Sequence, residues 1–299
     1  MAITRASGQA AGTTADNTTA VTLAYPNNVV AGNLLVILVT AFKESSDPFV
    51  LADISKSAGT ATLGAFQLDS SVNYNPSPAW VNSAVYSAPV TGSGSCTITV
   101  GGAPAGSYFV LALQELEGAD VTSGRLEGQN TGTGATGAPT TGDVTSAGGA
   151  AFMGIVGTNT SGATTHTPDG AFTEIAESED GSTHMTGSAE DRIVTTGTTD
   201  AASWTAPTTV DWAAALAVYK EAAAGAAHWV PESDVSAGSW TPSAGGDLFA
   251  MIDEQPTPSD ADHIRSAASP SNDTCEVRLA LHLTPDAGTC TIGVRARSL

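Results

Sequence analysis

A chain of 299 residues is long enough for one large domain or two of ordinary size. Charged residues make up only 13% while Gly, Ala, Thr and Ser abound, which favours short strands joined by glycine turns and disfavours a helical bundle. Thirty acidic residues against ten basic ones leave a formal charge of −20, a field that repels a phosphate backbone, so nucleic acid is not an expected partner.

The acidity points to solubility, or to docking on a basic surface. The opening Met1-Ala-Ile-Thr-Arg5 has no apolar region of the secretory kind, so no secretory signal is expected. The longest apolar run, residues 34–42, is roughly half of a membrane span, so no membrane is expected either. Residues 1–20 are small and polar, an anchoring arm or a first edge strand. A short strand over 20–25 and a turn at Pro26-Asn-Asn28 follow. Gly32-Asn-Leu-Leu-Val-Ile-Leu-Val-Thr-Ala-Phe42 is apolar at both parities, which predicts a central strand covered on both faces. Residues 43–56 read as an acidic loop, 61–68 as a strand, and 73–78 as a loop. Trp80-Val-Asn-Ser-Ala-Val-Tyr86 and Cys96-Thr-Ile-Thr-Val100 read as strands, and Tyr108-Phe-Val-Leu-Ala-Leu-Gln-Glu-Leu-Glu117 resembles the Gly32 strand in its loading.

Residues 128–142 hold almost only Gly, Thr and Ala, which predicts a loop. A third apolar strand is expected over 148–157, and strands over 171–175 and 184–194 around a polar tip. Asp211-Trp-Ala-Ala-Ala-Leu-Ala-Val-Tyr-Lys-Glu221 would be helical by alanine content alone. It shares the pattern of a small-residue turn followed by an apolar decapeptide with the runs at Gly32, Gly106 and Gly148, and is predicted as a strand.

Four such strands, with weaker ones between them, suit an all-β fold: an antiparallel jelly-roll-like β-sandwich over residues 1–222. Residues 223–227 read as a linker, and 228–299 as a smaller β-sandwich module. Its clearest signal is a terminal hairpin. Cys275, Val277, Leu279, Leu281 and Leu283 form one stripe, and Cys290, Ile292, Val294 and Ala296 the other, around the turn Thr284-Pro-Asp-Ala-Gly-Thr289. In that register Cys275 and Cys290 lie about 25 Å apart at ~3.3 Å per residue, beyond any disulfide. Three cysteines leave at least one unpaired, so free buried thiols and a reducing cytoplasm are expected.

Chemistry-bearing patterns are few. Gly132-Thr-Gly-Ala-Thr-Gly137 matches a dinucleotide fingerprint, but Ala138-Pro-Thr-Thr-Gly142 cannot open the helix that such a site needs. Glu115 and Glu117 share one face of a strand, the spacing of a carboxylate pair for glycoside hydrolysis, although a solvated strand end explains them as well. Glu177, Glu179 and Asp180, and separately Asp253, Glu254, Asp260 and Asp262, could offer oxygen ligands to calcium, but neither set has EF-hand spacing. His166, His184, His228, His263 and His282 are scattered without the spacing of a zinc site, and read as surface residues. Trp80, Trp204, Trp212, Trp229 and Trp240 are expected in cores or subunit interfaces, with a sugar-stacking platform as the alternative. No catalytic, metal or cofactor-binding residue is assigned.

Trp240-Thr-Pro-Ser-Ala-Gly-Gly-Asp-Leu-Phe-Ala-Met-Ile-Asp-Glu254, then Pro258-Ser-Asp-Ala-Asp-His-Ile-Arg-Ser266 and a hairpin ending in Val294-Arg-Ala-Arg297, resembles a module of structural proteins in tailed-bacteriophage virions. Ala31-Gly-Asn-Leu-Leu-Val36 and Leu113-Gln-Glu-Leu-Glu-Gly118 are similar to phage-encoded jelly-roll proteins; His263 departs from the tyrosine more usual at its place. The resemblance implies a non-enzymatic virion component assembled in host cytoplasm: a capsid decoration, cement or head-fibre protein. It would act as a homotrimer or larger ring on the major capsid protein or other virion proteins. The alternatives are a tail-associated or receptor-binding protein that contacts host glycan, and a glycan-active enzyme using Glu115 and Glu117.

Overall fold

The computed structural model describes residues 2–44, 50–75, 79–159, 165–179, 185–205 and 210–222, with two further strand segments at 265–268 and 275–278. The chain divides into two compact units, Met1–Ala223 and Ala224–Leu299. Every regular element in the described residues is a strand, and every pairing is antiparallel.

The first half of the larger unit runs β1 (Thr4–Arg5), β2 (Ala11–Thr18), β3 (Ala20–Ala24), β4 (Leu34–Glu44), β5 (Asp53–Ala58), β6 (Thr62–Leu63), β7 (Gln67–Tyr74), β8 (Ala79–Gly92), β9 (Thr97–Gly101) and β10 (Ser107–Glu117). Strands β2, β10, β4, β8 and β7 lie side by side in one sheet, extended by β1 and β6, and β3, β9 and β5 form a smaller one. The second half runs β11 (Leu126–Gly134), β12 (Val144–Thr145), β13 (Ala150–Asn159), β14 (Thr167–Pro168), β15 (Thr173–Glu179), β16 (Met185–Val194), β17 (Thr199–Asp200), β18 (Trp204–Thr205) and β19 (Asp211–Lys220). Here β11, β19, β13, β16 and β15 make the large sheet, while β12 pairs β17 and β14 pairs β18.

The two halves are the same frame used twice. In each, the pairs are nested: β2 with β10 and β11 with β19 outermost, then β3 with β9 and β12 with β17, then β4 with β8 and β13 with β16. Strands β7 and β15 each join the large sheet beside β8 and β16. Even the irregularities correspond: β7 bulges between Leu68 and Ser70 against Tyr86 and Val85, and β15 bulges between Glu174 and Ala176 against Glu190 and Ala189. Matching register for register sets Leu34 with Ala151, Val85 with Ala189, Leu116 with Tyr219 and Ser87 with Asp191. A cross-strand hydroxyl pair also recurs, Thr22 with Thr99 and Thr145 with Thr199, each at 2.8 Å.

The large sheets pack face to face about a pseudo-two-fold axis. Contacts come in reciprocal pairs, as an isologous interface demands. Ser83 donates to the Ala213 carbonyl, and Gly187, the counterpart of Ser83, lies against Val110, the counterpart of Ala213. The axis passes where Thr40 meets its own counterpart, Gly157, on which a Cβ would overlap Thr40 Oγ1. Gly157→Ala is therefore expected to cost about 1–3 kcal/mol of stability by overpacking, read as a fall in denaturation midpoint; no loss would place the axis elsewhere.

Three layers of apolar core follow. Leu34, Val36, Leu38 and Leu116 meet Ala151, Met153, Ile155 and Tyr219 between the large sheets. Leu35, Ile37, Leu111 and Leu113 meet Val21, Ile98 and Val100 under the small sheet of the first repeat. Phe152, Val156 and Leu216 lie under Trp204, Phe172 and Val144 in the second. The third and last strands of each repeat are thus dry on both faces. This accounts for their apolar loading at both parities, and for the alanine-rich 211–220 run being a strand: its neighbours β11 and β13 supply the hydrogen bonds, and burial on both sides outweighs helix propensity. The all-β antiparallel sandwich stands as expected, with more layers than the two foreseen.

Several local expectations are corrected. Within the supposed acidic loop, residues 53–58 pair with β9. Residues 128–134 of the Gly/Thr/Ala stretch belong to the edge strand β11, not to a loop: at Gly134 a Cβ would sit 2.7 Å from the Trp212 indole, and at Gly132 it would overlap the Thr140 carbonyl, so only glycine fits. Residues 11–18 pair with β10 as an edge strand, one of the two alternatives expected for residues 1–20. In the smaller unit, β20 (Arg265–Ala268) pairs with β21 (Cys275–Arg278), the start of the predicted hairpin. Its return strand, the 223–227 linker and the residues of the phage-like motif up to 264 lie outside the described residues.

Candidate functional site

The carboxylate pair on β10 does not form a catalytic dyad. Glu115 is completely buried, and Glu117 is exposed. Glu115 Oε1 accepts from Val30 N and Asn33 Nδ2, both at 2.8 Å, and Oε2 accepts from Gln9 Nε2 at 2.6 Å. Gln9 in turn binds the backbone of Asn27 and Asn28. This carboxylate fastens the turn before β4 and the segment before β2 onto the sheet. Glu115→Gln places an amide donor among three donors and is expected to cost about 1–3 kcal/mol, measured by chemical denaturation. Unchanged stability would free Glu115 for another role.

Two arginines mark the interface between repeats, Arg5 in β1 and Arg125 just before β11. Arg5 Nε and Nη2 grip both oxygens of Asp191 at 2.6 and 2.8 Å. Arg125 Nε donates to Ser87 Oγ at 2.7 Å and Nη2 to the Ser87 carbonyl at 3.3 Å. Since Ser87 and Asp191 are counterparts, each arginine reaches from one repeat to the same place on the other. Asp69 completes the second site, its Oδ2 taking Ser87 Oγ and, at 2.7 Å, the Tyr219 hydroxyl. Burial pushes the Asp69 carboxyl up, against the pull of Ser87, Tyr219 and Arg125. Burial likewise raises Asp191 in spite of Arg5.

A third polar group lies on the outer face of the second repeat. Glu190 is fully buried; Oε1 accepts from Ser203 N at 3.0 Å and Oε2 has no partner. Burial, with Asp169 and Asp191 nearby, pushes its carboxyl up to about 9. His166 is 1% exposed, a correction to its surface reading: its Nδ1 lies 3.2 Å from Glu177 Oε1 and its Nε2 has no partner. Glu177 and Glu179 belong to β15 and not to a loop, and Asp180, Asp253, Glu254, Asp260 and Asp262 fall outside the described residues. Among the described residues, no three His, Cys, Asp or Glu side chains are arranged to hold a metal ion.

Trp204 and Trp212 are buried in the outer core of the second repeat and Trp80 packs against that of the first, as core residues were expected to. Trp229, Trp240 and the other four histidines fall outside the described residues. Cys96 is a buried free thiol, raised by burial to about 11. An open groove of about 680 Å³ crosses the outer side of the small sheet of the first repeat, lined by Thr19, Asp53, Ser55, Thr99 and the backbone at Gly101 and Gly102. Sequence reading missed Asp69, Arg125 and Asp191, whose partners Tyr219, Ser87 and Arg5 stand 150, 38 and 186 residues away and meet them only in the folded sheets.

Compared with protein-family models, curated proteins and solved structures, the chain matches none.

Proposed function

We propose that the chain is a non-enzymatic structural component of a tailed-phage virion, fitted against other subunits as a capsid decoration, cement or head-fibre protein. The observation that carries this reading is how the larger unit uses its polar interior. Glu115, Asp69 and Asp191 tie turns and repeats together across broad sheets, an arrangement suited to a rigid body that presents flat faces. The phage-like motif in residues 240–297 adds the genre, and the −20 charge suits docking on a basic patch of capsid. The resemblance also suggests a trimer, stabilised by mass action with a symmetric lattice.

Gold-labelled antibody against this chain, imaged on virions of the phage that encodes it, tests the proposal. Labels on heads are expected, and unlabelled particles would overturn it. A second reading, contact with host glycan, is favoured by the hydroxyl-lined groove at Thr19, Ser55 and Thr99, and it predicts labels on tails.

A further inference from the structure

We propose that Glu190 is a proton-operated latch on the cover of the second repeat: neutral, it lets the β14–β18 ladder lie closed over the sheet; ionised, it draws water beneath, lifts the ladder and uncovers Trp204.

The cover is small. β14 and β18 have two residues each, and the Trp204 ring rests over Gly154, where a Cβ would come within 3.3 Å of it. Gly154 is the cross-strand neighbour of Glu190, and the amide that Glu190 holds belongs to Ser203, next to Trp204. Trp204 is completely buried and its Nε1 has no partner; Ser188 Oγ and Thr186 Oγ1, further along the same face of β16, have none either. A buried polar face so incompletely hydrogen-bonded calls for an explanation.

The first repeat supplies an internal control. Tyr86 occupies the position of Glu190, and its hydroxyl also reaches the covering segment, donating to the Leu51 carbonyl. Asn82 and Ala84 stand where the second repeat has Thr186 and Ser188. The same latch position thus carries a phenol raised to about 12 in one repeat and a carboxyl in the other.

Among the described residues, the groups around Glu190 give its anion no counter-charge. Glu174 lies directly across on β15, with Glu177 on the same strand bonded to His166. Asp169 follows β14 and raises the Glu190 carboxyl, as does Asp191 on the opposite face, held by Arg5. Arg192, two residues along, is engaged by Asp200, and β13 offers only Gly154. An anion buried among these groups must be hydrated, and the shortest covering element is the easiest to displace.

The test is acrylamide quenching of tryptophan fluorescence from pH 6 to 10.5, with far-ultraviolet circular dichroism alongside, on the full chain. The wild type should show a reversible gain in quenching with a midpoint near 9 while its sheet signal holds. Trp204→Phe and Glu190→Gln should abolish it. Asp169→Asn, at an exposed position, removes a facing negative charge and should lower the midpoint by roughly half a unit. A step that survives in Glu190→Gln, an unmoved midpoint in Asp169→Asn, global unfolding in the same step, or flat quenching to pH 10.5 would each overturn the proposal.

Discussion

Arg125→Ala is expected to remove about 3–5 kcal/mol of stability, the effect of breaking a buried charged network from one side. Arg125 is 4% exposed, and its guanidinium bridges the oxygens of Ser87 while offsetting the buried carboxyl of Asp69. Without it, Ser87 Oγ loses its donor, and Asp69 is left with two hydroxyls and no cation. For a unit of this size the loss corresponds to a fall in melting temperature of roughly 6–20 °C. The deficit should grow with pH. Loss of Arg125 raises the folded-state Asp69 carboxyl further, and an acid raised on folding loses stability as pH climbs above its unfolded value. Arg5→Ala should do less, because the Arg5 side chain is 42% exposed and water already shares its bond to Asp191. No loss at either site would mean that the repeats are held by apolar packing alone, and equal losses would mean that exposure does not set what each arginine contributes.

Glu190→Gln is expected to work in the opposite direction and stabilise the protein. The folded carboxyl sits at about 9 against an ordinary 4.5. The folded state therefore holds a proton that the unfolded chain has released throughout that window. Stability from this group is full below pH 4.5, declines as pH rises, and levels off above 9. At pH 7 the penalty is of order 3 kcal/mol. Glutamine keeps an acceptor for Ser203 N without the penalty, so the variant should gain most of that amount at pH 7 and almost nothing at pH 4. Asp69, Asp191, Glu174 and Asp211 are raised by burial as well, while Asp120, held by Thr122 and Lys220, is lowered. Among the described residues four further carboxyls stand against one, so the larger unit should be more stable at pH 5 than at pH 8. Calorimetry across that range decides it, and a stability maximum above pH 7 would contradict it.

The strands were legible wherever burial on two faces imposed its own pattern. The decapeptides after Gly32, Gly106 and Gly148 and the run from Asp211 announced the third and last strands of both repeats, because those are covered above and below and apolar on both faces, whereas β8 and β16 are buried as deeply but carry polar side chains such as Asn82, Ser83, Thr186 and Glu190. The duplication itself was hidden. Counterparts such as Leu34 and Ala151, or Leu116 and Tyr219, share a position and a core but not a side chain, and the few identical ones, Thr22 with Thr145 and Thr99 with Thr199 among them, are too scattered to read as a repeat. Strand 126–134 was obscured by its glycines, which are there to admit Trp212 and the Thr140 carbonyl. Glu115 was visible as a carboxylate but its role was not, since Gln9 and Val30 come to it from 106 and 85 residues away. His166 carried no local sign of burial, and its partner Glu177 reaches it only once β15 is paired in the sheet.

Native-state hydrogen exchange tests the face-to-face duplication most directly. If the two repeats form one body through Arg5, Arg125 and the shared core of Leu38, Ile155 and Tyr219, the central amides of β4, β10, β13 and β19 should exchange with one common opening free energy and move together in Arg125→Ala. Should one repeat open at a distinctly lower free energy and leave the other protected, the two frames would be independent neighbours.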